Sequence, residues 1–302
     1  MSDQARSPGL PRIAVVGTGR MGTAMVTRLS AAGARPIVYN RTRSKAEALG
    51  DLDGVSVADT PREAAGAEIV VVSLGDDAAL LATYQGGDGL VSGLRSGSVI
   101  VDTSTVDPQT VLALSPQVEA AGGRLLDAPV SGSVQLVEKG ELTFMVGGDA
   151  GTLDRVRPVL EVLGRHVFHV GGQGAGAVMK LAVNTVVMAL NQTLSEALVL
   201  AERAGVERST AYDVLAASAV GAPFVQYKRP AFEHPDQTPV AFSLDLVAKD
   251  LDLIVQLADR LGVPMHQAVA NRRVARAAIE AGLGAKDMSA VAGFLATDQA
   301  RR

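Results

Sequence analysis

Residues Gly17-Thr18-Gly19-Arg20-Met21-Gly22 form a G-x-G-x-x-G segment between an apolar run, Ile13 to Val16, and a stretch of helical composition. This feature restricts the fold most. Glycine permits an abrupt strand-to-helix turn and lets the main chain come close to a pyrophosphate. The helix start then offers free N–H groups and the positive end of its dipole to an anion. A glycine-rich loop that merely packs a helix on a sheet has the same letters, but the strand before it and the helix after it are the context dinucleotide binding needs.

The rest of the first half repeats that alternation. Short β-branched runs occur at Pro36 to Tyr39, Val55 to Val57, Ile69 to Ser73, Val99 to Asp102, Leu125 to Asp127, Leu142 to Val146 and His166 to Val170, mostly separated by alanine- and leucine-rich segments. Continuous apolar strands alternating with helices predict an α/β domain with a mostly parallel sheet covered on both faces. The pattern changes after Gly171-Gly172-Gln173-Gly174. Beyond it, period-2 patterning nearly vanishes, and helices are expected at Ala177 to Ala204, Ser209 to Ala217, Leu244 to Leu261 and Met265 to Ala281, with Ser209 and Ser243 as N-caps. The expected division is a flexible N-terminal tail over 1–11, a dinucleotide-binding domain over 12–172 and an all-α domain over 173–302. Residues Leu181 to Leu200 are strongly apolar, but Asn184, Asn191, Gln192, Ser195 and Glu196 interrupt them, which predicts a buried helix and not a membrane span.

Charge and composition narrow the function classes. A net charge of -4 argues against binding nucleic acid by bulk phosphate neutralisation. The absence of cysteine excludes thiol catalysis, disulfides and cysteine-ligated metals, and fits a cytoplasmic chain. His166, His169, His234 and His266 lack metal-site spacing, so no metal is expected. The first residues lack the charged-then-apolar pattern of a signal peptide.

The second strand ends in Tyr39-Asn40-Arg41-Thr42-Arg43-Ser44-Lys45. An acidic residue there would favour NAD by binding the ribose hydroxyls. Here an amide, Asn40, stands in its place, followed by Arg41, Thr42 and Arg43. A guanidinium can hold a 2′-phosphate by charge-assisted hydrogen bonds, which points to NADP(H). Basic residues disfavour a helix N-terminus, so a local anion partner explains the two arginines better than solvation does. The strand ends Ser73-Leu74-Gly75-Asp76 and Asp102-Thr103-Ser104-Thr105 should line the same crevice. Thr105 fits a nicotinamide-ribose contact and a plain capping segment equally well.

Lys180 opens the long apolar helix and is a candidate proton donor. Burial among Val178, Met179 and Leu181 would lower its pKa. Asn184, Asn191 and Ser195 continue a polar stripe along the same face. A lysine that snorkels to the surface at a helix end is the competing reading. The segment Asp127-Ala128-Pro129-Val130-Ser131-Gly132-Ser133 follows a strand. Its Ser131 hydroxyl and the N–H groups of Gly132 and Ser133 suit a carboxylate, although an ordinary strand-to-helix turn looks the same. Lys249-Asp250 lies on a later helix, where Lys249 either reaches a bound anion or pairs with Asp252.

In order and spacing, Gly17-x-Gly19-x-Met21-Gly22, Asp127-Ala128-Pro129-Val130-Ser131-Gly132, Gly174-x-Gly176-x-x-x-Lys180-x-x-x-Asn184 and Lys249-Asp250 together resemble the β-hydroxyacid dehydrogenase family over nearly the whole chain. The resemblance implies a Rossmann domain, a long interdomain helix and an all-α domain that serves substrate binding and assembly into homodimers or homotetramers. It implies Lys180 as catalytic acid/base and Asn184 as the residue that orients it or the substrate. It implies Ser131, Gly132, Ser133, Phe242 and Asp250 around a small-molecule substrate. Gly17, Thr18, Gly19, Arg20, Met21, Gly22, Asn40, Arg41, Thr42, Ser73, Leu74, Thr105 and Lys249 would serve the cofactor. Val183, Ser133 and the Asn40-Arg41-Thr42 segment look most like the branch of NADPH-using glyoxylate/succinic semialdehyde reductases. Imine reductases share the architecture and often the Asn-Arg-Thr segment, but generally lack the lysine and the Ser-Gly turn. Scaffold relatives with a dead site have lost the lysine too. Both alternatives, imine reduction and nucleotide sensing, stay open beside carbonyl reduction.

Overall fold

The computed structural model describes residues 10–297. Most of the expected N-terminal tail, residues 1–9, lies outside them. The chain divides into two compact units, one ending at Lys180 and the other starting at Leu181.

The first unit is built on β1 (Ile13–Val16), β2 (Ile37–Tyr39), β3 (Ser56–Val57), β4 (Ile69–Val72), β5 (Val99–Asp102), β6 (Arg124–Asp127), β7 (Val130–Ser131), β8 (Leu142–Gly147) and β9 (Gly164–Gly171). Their order is β3-β2-β1-β4-β5-β6-β8-β7, with β9 on β8. The run from β3 to β6 is parallel. Strand order reverses between β1 and β4, and such a reversal opens a crevice at the carboxyl ends of the strands.

Period-2 geometry explains the uninterrupted apolar letters. Ile13 and Val15 of β1 enter one core with Val38, Val71 and Leu126, while Ala14 and Val16 enter another with Val70, Val72 and Ile100. The central strands β1, β4 and β5 therefore bury both faces under helices. Helix Arg20–Ala31 packs Met25, Val26 and Leu29 on the first core, and helix Pro108–Ala120 packs Val111, Leu114 and Val118 on the second.

Two strands depart from an all-parallel, doubly covered pattern. β8 runs antiparallel to β6 and β7. β9 is largely exposed, with Phe168 56% accessible, because it lies at the sheet edge. The two-residue β7 and the helix Val134–Lys139 were too short to give a periodic signal.

The second unit is helical: the continuation of helix Ala175–Arg203, then Arg208–Ala217, Pro223–Glu233, Leu244–Leu261, His266–Ala278 and Ala290–Ala296. Ser243 caps its helix as expected, accepting from the Leu246 N–H. Ser209 does not: the helix starts at Arg208 behind Glu207, and the Ser209 hydroxyl donates to that glutamate. The helix expected to reach Ala281 stops at Ala278, where a π turn leads to Gly282 at φ 87°. Helix Pro223–Glu233 went unpredicted because Pro223 and Pro230 mask its period; the first sits at the helix start, where a missing N–H costs nothing.

The long helix corrects a further expectation. By length and composition it could cross a membrane. It is buried along one face only, and that face carries the polar stripe. Asn184, Asn191, Gln192 and Ser195 are buried with Leu181, Met188 and Leu198, while Val186 and Leu200 are 67% and 73% exposed. Asn191 donates to the Met288 carbonyl and Ser195 to the Asn191 carbonyl, so much of the stripe serves packing within the helical unit.

Gly176 sits where this helix meets the sheet. A Cβ there would stand 2.2 Å from the Asp127 carbonyl oxygen and 2.5 Å from that of Met145. Both obstacles are backbone, so neither yields cheaply. Gly176→Ala is therefore expected to destabilise the protein by about 1–3 kcal/mol, read as a lower urea midpoint. An unchanged midpoint would mean that the contact is soft.

Candidate active site

Each glycine of the cradle has its own task. Gly17 adopts φ +92°, and a Cβ on it would lie 2.2 Å from the Ser73 carbonyl oxygen. Gly22 lets the helix approach the loop, since a Cβ there would lie 1.9 Å from the Gly17 carbonyl oxygen. A Cβ on Gly19 would meet nothing within 4 Å. Its bare backbone therefore leaves open space at the mouth of helix Arg20–Ala31. That helix has no side-chain cap and no acid in its first turn, so its leading N–H groups and dipole face that space. The residues present fit a dinucleotide pyrophosphate.

The crevice beside the cradle has a volume of about 350 Å³ and is lined by Gly17, Gly19, Asn40, Arg41, Thr42, Lys45, Ser73 and Leu74 among others. Asn40 ties the cradle to the end of β2: its Oδ1 accepts from the Thr18 N–H at 3.0 Å, and its Nδ2 donates to the Thr42 carbonyl at 2.9 Å. An aspartate could make the first bond but not the second. Arg43, expected beside Arg41 as an anion ligand, turns elsewhere. Its guanidinium pairs with Asp59 and Glu47. Lys45 takes its place on the crevice wall. Residues two apart on a helix point to different sides, which is the signal that separates Lys45 from Arg43. Among the described residues, neither Arg41 nor Lys45 forms an ion pair. Arg20 is exposed at the cradle and Met21 half-buried.

Further along the crevice, the ends of β4 and β5 are bound together. The Leu74 N–H donates to Ser104 Oγ at 3.0 Å, and the Ser104 N–H to Asp102 Oδ1 at 2.9 Å. The buried Tyr84 hydroxyl donates to Asp102 Oδ2 at 2.7 Å. Burial pushes the Asp102 carboxyl above its ordinary range against these donors, and holds the Tyr84 phenol well above its own. Thr105 follows, half-buried.

The end of β6 carries a feature that composition did not reveal. Asp127 Oδ1 accepts from Gln173 Nε2 at 3.0 Å and from the Gly174 N–H at 2.9 Å; Oδ2 accepts from the Ala177 N–H at 2.9 Å. The carboxylate thus caps the long helix. Burial raises its pKa, and the backbone donors oppose the rise. One turn beyond Ala177, Lys180 Nζ donates to the Val130 carbonyl at 2.8 Å. This brings Lys180 to the strand that continues into Ser131, Gly132 and Ser133, all half-buried. Its sequence neighbours do not bury it as expected: Val178 and Met179 are 39% and 40% exposed.

The helical unit assembles its own polar set. Asn184 Nδ2 donates to the buried Asp250 Oδ2 at 2.6 Å, and Lys249 Nζ lies 2.7 Å from Asp250 Oδ1. Asp252, the other candidate for Lys249, lies against Arg276 and Arg272. The Phe242 N–H donates to Asp287, which forms a buried ion pair with Lys228. Sequence reading missed that pair because its members lie far apart in the chain. Burial pushes Lys228 down, whereas Lys228 and the backbone donors hold Asp287 below the ordinary range despite its burial.

A dinucleotide cradle at the switch point of a parallel sheet, followed by a helical unit, defines a dinucleotide-dependent oxidoreductase. Residues 12–171 match the NAD binding domain of 6-phosphogluconate dehydrogenase, and residues 174–295 match the NAD-binding domain of NADP-dependent 3-hydroxyisobutyrate dehydrogenase. The chain is 34% identical to glyoxylate/succinic semialdehyde reductase 1 of Arabidopsis thaliana over 280 residues, covering 92% of this chain and 96% of that protein. The 3-hydroxyisobutyrate dehydrogenase of Mycobacterium tuberculosis, solved with L-serine, superposes with TM-score 0.83 at 29% identity over 96% of this chain and all (100%) of that one. A Salmonella typhimurium 3-hydroxyisobutyrate dehydrogenase gives TM-score 0.85 at 26% identity, over 94% and 99% of the two chains. The chain belongs to the β-hydroxyacid dehydrogenase family, whose members here are oxidoreductases acting on CH–OH groups.

The unequal surroundings of the glycines give a direct contrast. Gly19→Ala should leave folding stability within about 1 kcal/mol of wild type, because the new methyl meets no protein atom, yet weaken dinucleotide binding at least tenfold, on the order of the loss of one close backbone contact. Gly22→Ala should lower the thermal midpoint. Fluorescence titration and differential scanning calorimetry read the two effects; equal behaviour of the two variants would contradict the assignment.

Proposed function

We propose that this protein is an NADPH-dependent reductase of small carboxylate-bearing aldehydes of the glyoxylate or succinic semialdehyde class, with Lys180 as general acid/base. The observation that carries the proposal is the 2.8 Å bond from Lys180 Nζ to the Val130 carbonyl, which holds an ammonium beside the Ser131-Gly132 turn. The similarity to a glyoxylate/succinic semialdehyde reductase supports the substrate class.

The Gly17–Gly22 cradle would hold the dinucleotide, whose chemistry when bound would be that of a hydride donor. The remaining work falls to the chain's own side chains. The Ser131 hydroxyl and the N–H groups of Gly132 and Ser133 hold the substrate carboxylate and so orient its carbonyl. The Lys180 ammonium donates a proton to the carbonyl oxygen as negative charge develops there. The Val130 carbonyl keeps the ammonium in place before the substrate arrives. In the oxidative direction the neutral amine takes the hydroxyl proton.

Cofactor choice follows from charge. Arg41 and Lys45 line the crevice and no carboxylate takes the place of Asn40, so a 2′-phosphate meets two cations. The double substitution Arg41→Ala, Lys45→Ala is expected to raise KM for NADPH by roughly tenfold or more while leaving NADH turnover near its wild-type level. Equal losses with both cofactors would refute the assignment.

The substrate reading is checked by initial rates of NADPH oxidation with glyoxylate, succinic semialdehyde, methylmalonate semialdehyde and a neutral cyclic imine, with NADH as control. An acid-bearing aldehyde is expected to be turned over and the imine not, because the imine offers nothing to the Ser131 turn. Turnover of the imine alone would favour imine reduction. Lys180→Ala should lower kcat about a hundred- to ten-thousand-fold with NADPH binding kept; undiminished turnover would end the acid/base role.

Assembly with a second copy of this chain belongs to the same reading. The outward face of the long helix is apolar at Val186 and Leu200, and a helix whose polar residues turn inward leaves such a face for a partner. Light scattering should give a mass of at least twice 31.1 kDa, and Val186→Asp with Leu200→Asp should lower it. A monomeric wild type would exclude the pairing.

A further inference from the structure

We infer that Asp127 is a positioning residue of the reaction: by capping the long helix it sets where Lys180 stands relative to the Ser131-Gly132 turn. The inference rests on the acid/base reading of Lys180 and extends it to the residue whose carboxylate is taken up by the start of the same helix.

The geometry is a two-point attachment of one helix to one strand-and-turn segment. At the first point, Asp127 accepts from Gln173 Nε2, the Gly174 N–H and the Ala177 N–H, all between 2.9 and 3.0 Å. At the second, the Val130 carbonyl accepts from Lys180 Nζ at 2.8 Å. Ala177 and Lys180 lie one turn apart on the same side of the helix, and Asp127 and Val130 are the matching positions on the facing segment. The two bonds therefore share a frame. Sliding or rotating the helix start at Asp127 carries Lys180 with it.

Sterics close the frame from the other side. A Cβ on Gly147 would stand 2.6 Å from Asp127 Oδ1, and one on Gly176 would stand 2.2 Å from the Asp127 carbonyl oxygen. Asp127 is thus packed closely against the bare backbone of Gly147 and Gly176. A buried acceptor with three donors cannot be replaced by water without opening this contact.

An asparagine at this position keeps the shape but turns an NH2 toward one of the helix N–H groups, where an acceptor is required. Misplacement of a catalytic group by about 1 Å can cost roughly a hundredfold in rate. Asp127→Asn is therefore expected to lower kcat by about ten- to a hundredfold while leaving the Kd for NADPH within about twofold. Asp149 supplies the control. It caps helix Ala150–Leu163 through the Thr152 N–H at 2.7 Å, the same chemistry in the same unit. Asp149→Asn keeps an oxygen for the Thr152 N–H, so it should change stability little and keep kcat.

The experiment measures kcat, KM for the aldehyde, NADPH Kd by fluorescence and thermal midpoint for wild type, Asp127→Asn, Asp149→Asn and Lys180→Ala together. Loss of kcat in Asp127→Asn alone of the two cap variants, with cofactor Kd kept, supports the inference. Wild-type kcat in Asp127→Asn, or kcat lost equally in both cap variants, overturns it. If Lys180→Ala retains turnover, the acid/base reading itself has failed; if Lys180→Ala is inactive while Asp127→Asn is normal, only the positioning role has failed. Should Asp127→Asn not fold, Gln173→Ala removes one donor from a half-buried side chain and decides the matter. A fall in kcat of about threefold or more with NADPH Kd kept then supports the role, and no fall overturns it.

Discussion

Three N–H groups converge on the buried carboxylate of Asp127, two from the backbone at the start of the long helix and one from Gln173. Much else in the first unit depends on this arrangement. It satisfies two backbone N–H groups at the helix start with a single side chain, and it does so at the carboxyl end of a sheet strand, where ligands of parallel sheets gather. From that anchor the helix rises one turn and delivers Lys180 to the Val130 carbonyl. The glycines at 147 and 176 exist to let it happen, since a side chain at either would collide with Asp127. The motif Asp-Ala-Pro-Val-Ser-Gly and the motif Gly-x-Gly-x-x-x-Lys are thus two halves of one joint.

The cofactor side of the same unit shows charge placed with equal economy. Asn40 could have been read simply as a missing aspartate. In the structure it bolts the cradle to the second strand by accepting from Thr18 and donating to the Thr42 carbonyl. Arg41 and Lys45 stay on the crevice wall, whereas Arg43 is engaged by Asp59 and Glu47. A basic cluster in sequence is therefore divided in space between the crevice wall and a surface ion-pair group.

How much of this was legible follows from what local patterns encode. The cradle, the parallel strands from β3 to β6 and the helical second half are written in periodicity and glycine placement, so the turn of Gly17, Gly19 and Gly22 lies between β1 and its helix, and Asn40 and Arg41 follow β2. The reversed strand β8, the partner of Arg43, the Lys228–Asp287 pair and the cap formed by Asp127 depend on residues distant in the chain, and no window of sequence contains them. The polar stripe from Asn184 to Ser195 was visible but ambiguous. A stripe that orients a catalytic lysine and one that ties a helix to its own unit have the same spacing. The bonds to Asp250 and Met288 show that packing claims at least part of it.

The central claim is that the ammonium of Lys180, held by this joint, is the proton donor to a carbonyl. Chemical rescue tests it most directly. With Lys180→Ala in hand, turnover of glyoxylate by NADPH is measured in a series of small primary amines of graded pKa, at constant ionic strength. The account predicts that amines restore activity, saturably and with a rate that depends on amine pKa, because they supply the missing acid from the vacated space. An inactive variant that no amine rescues, in a protein that still binds NADPH, would contradict it and leave Lys180 as a structural tie to Val130.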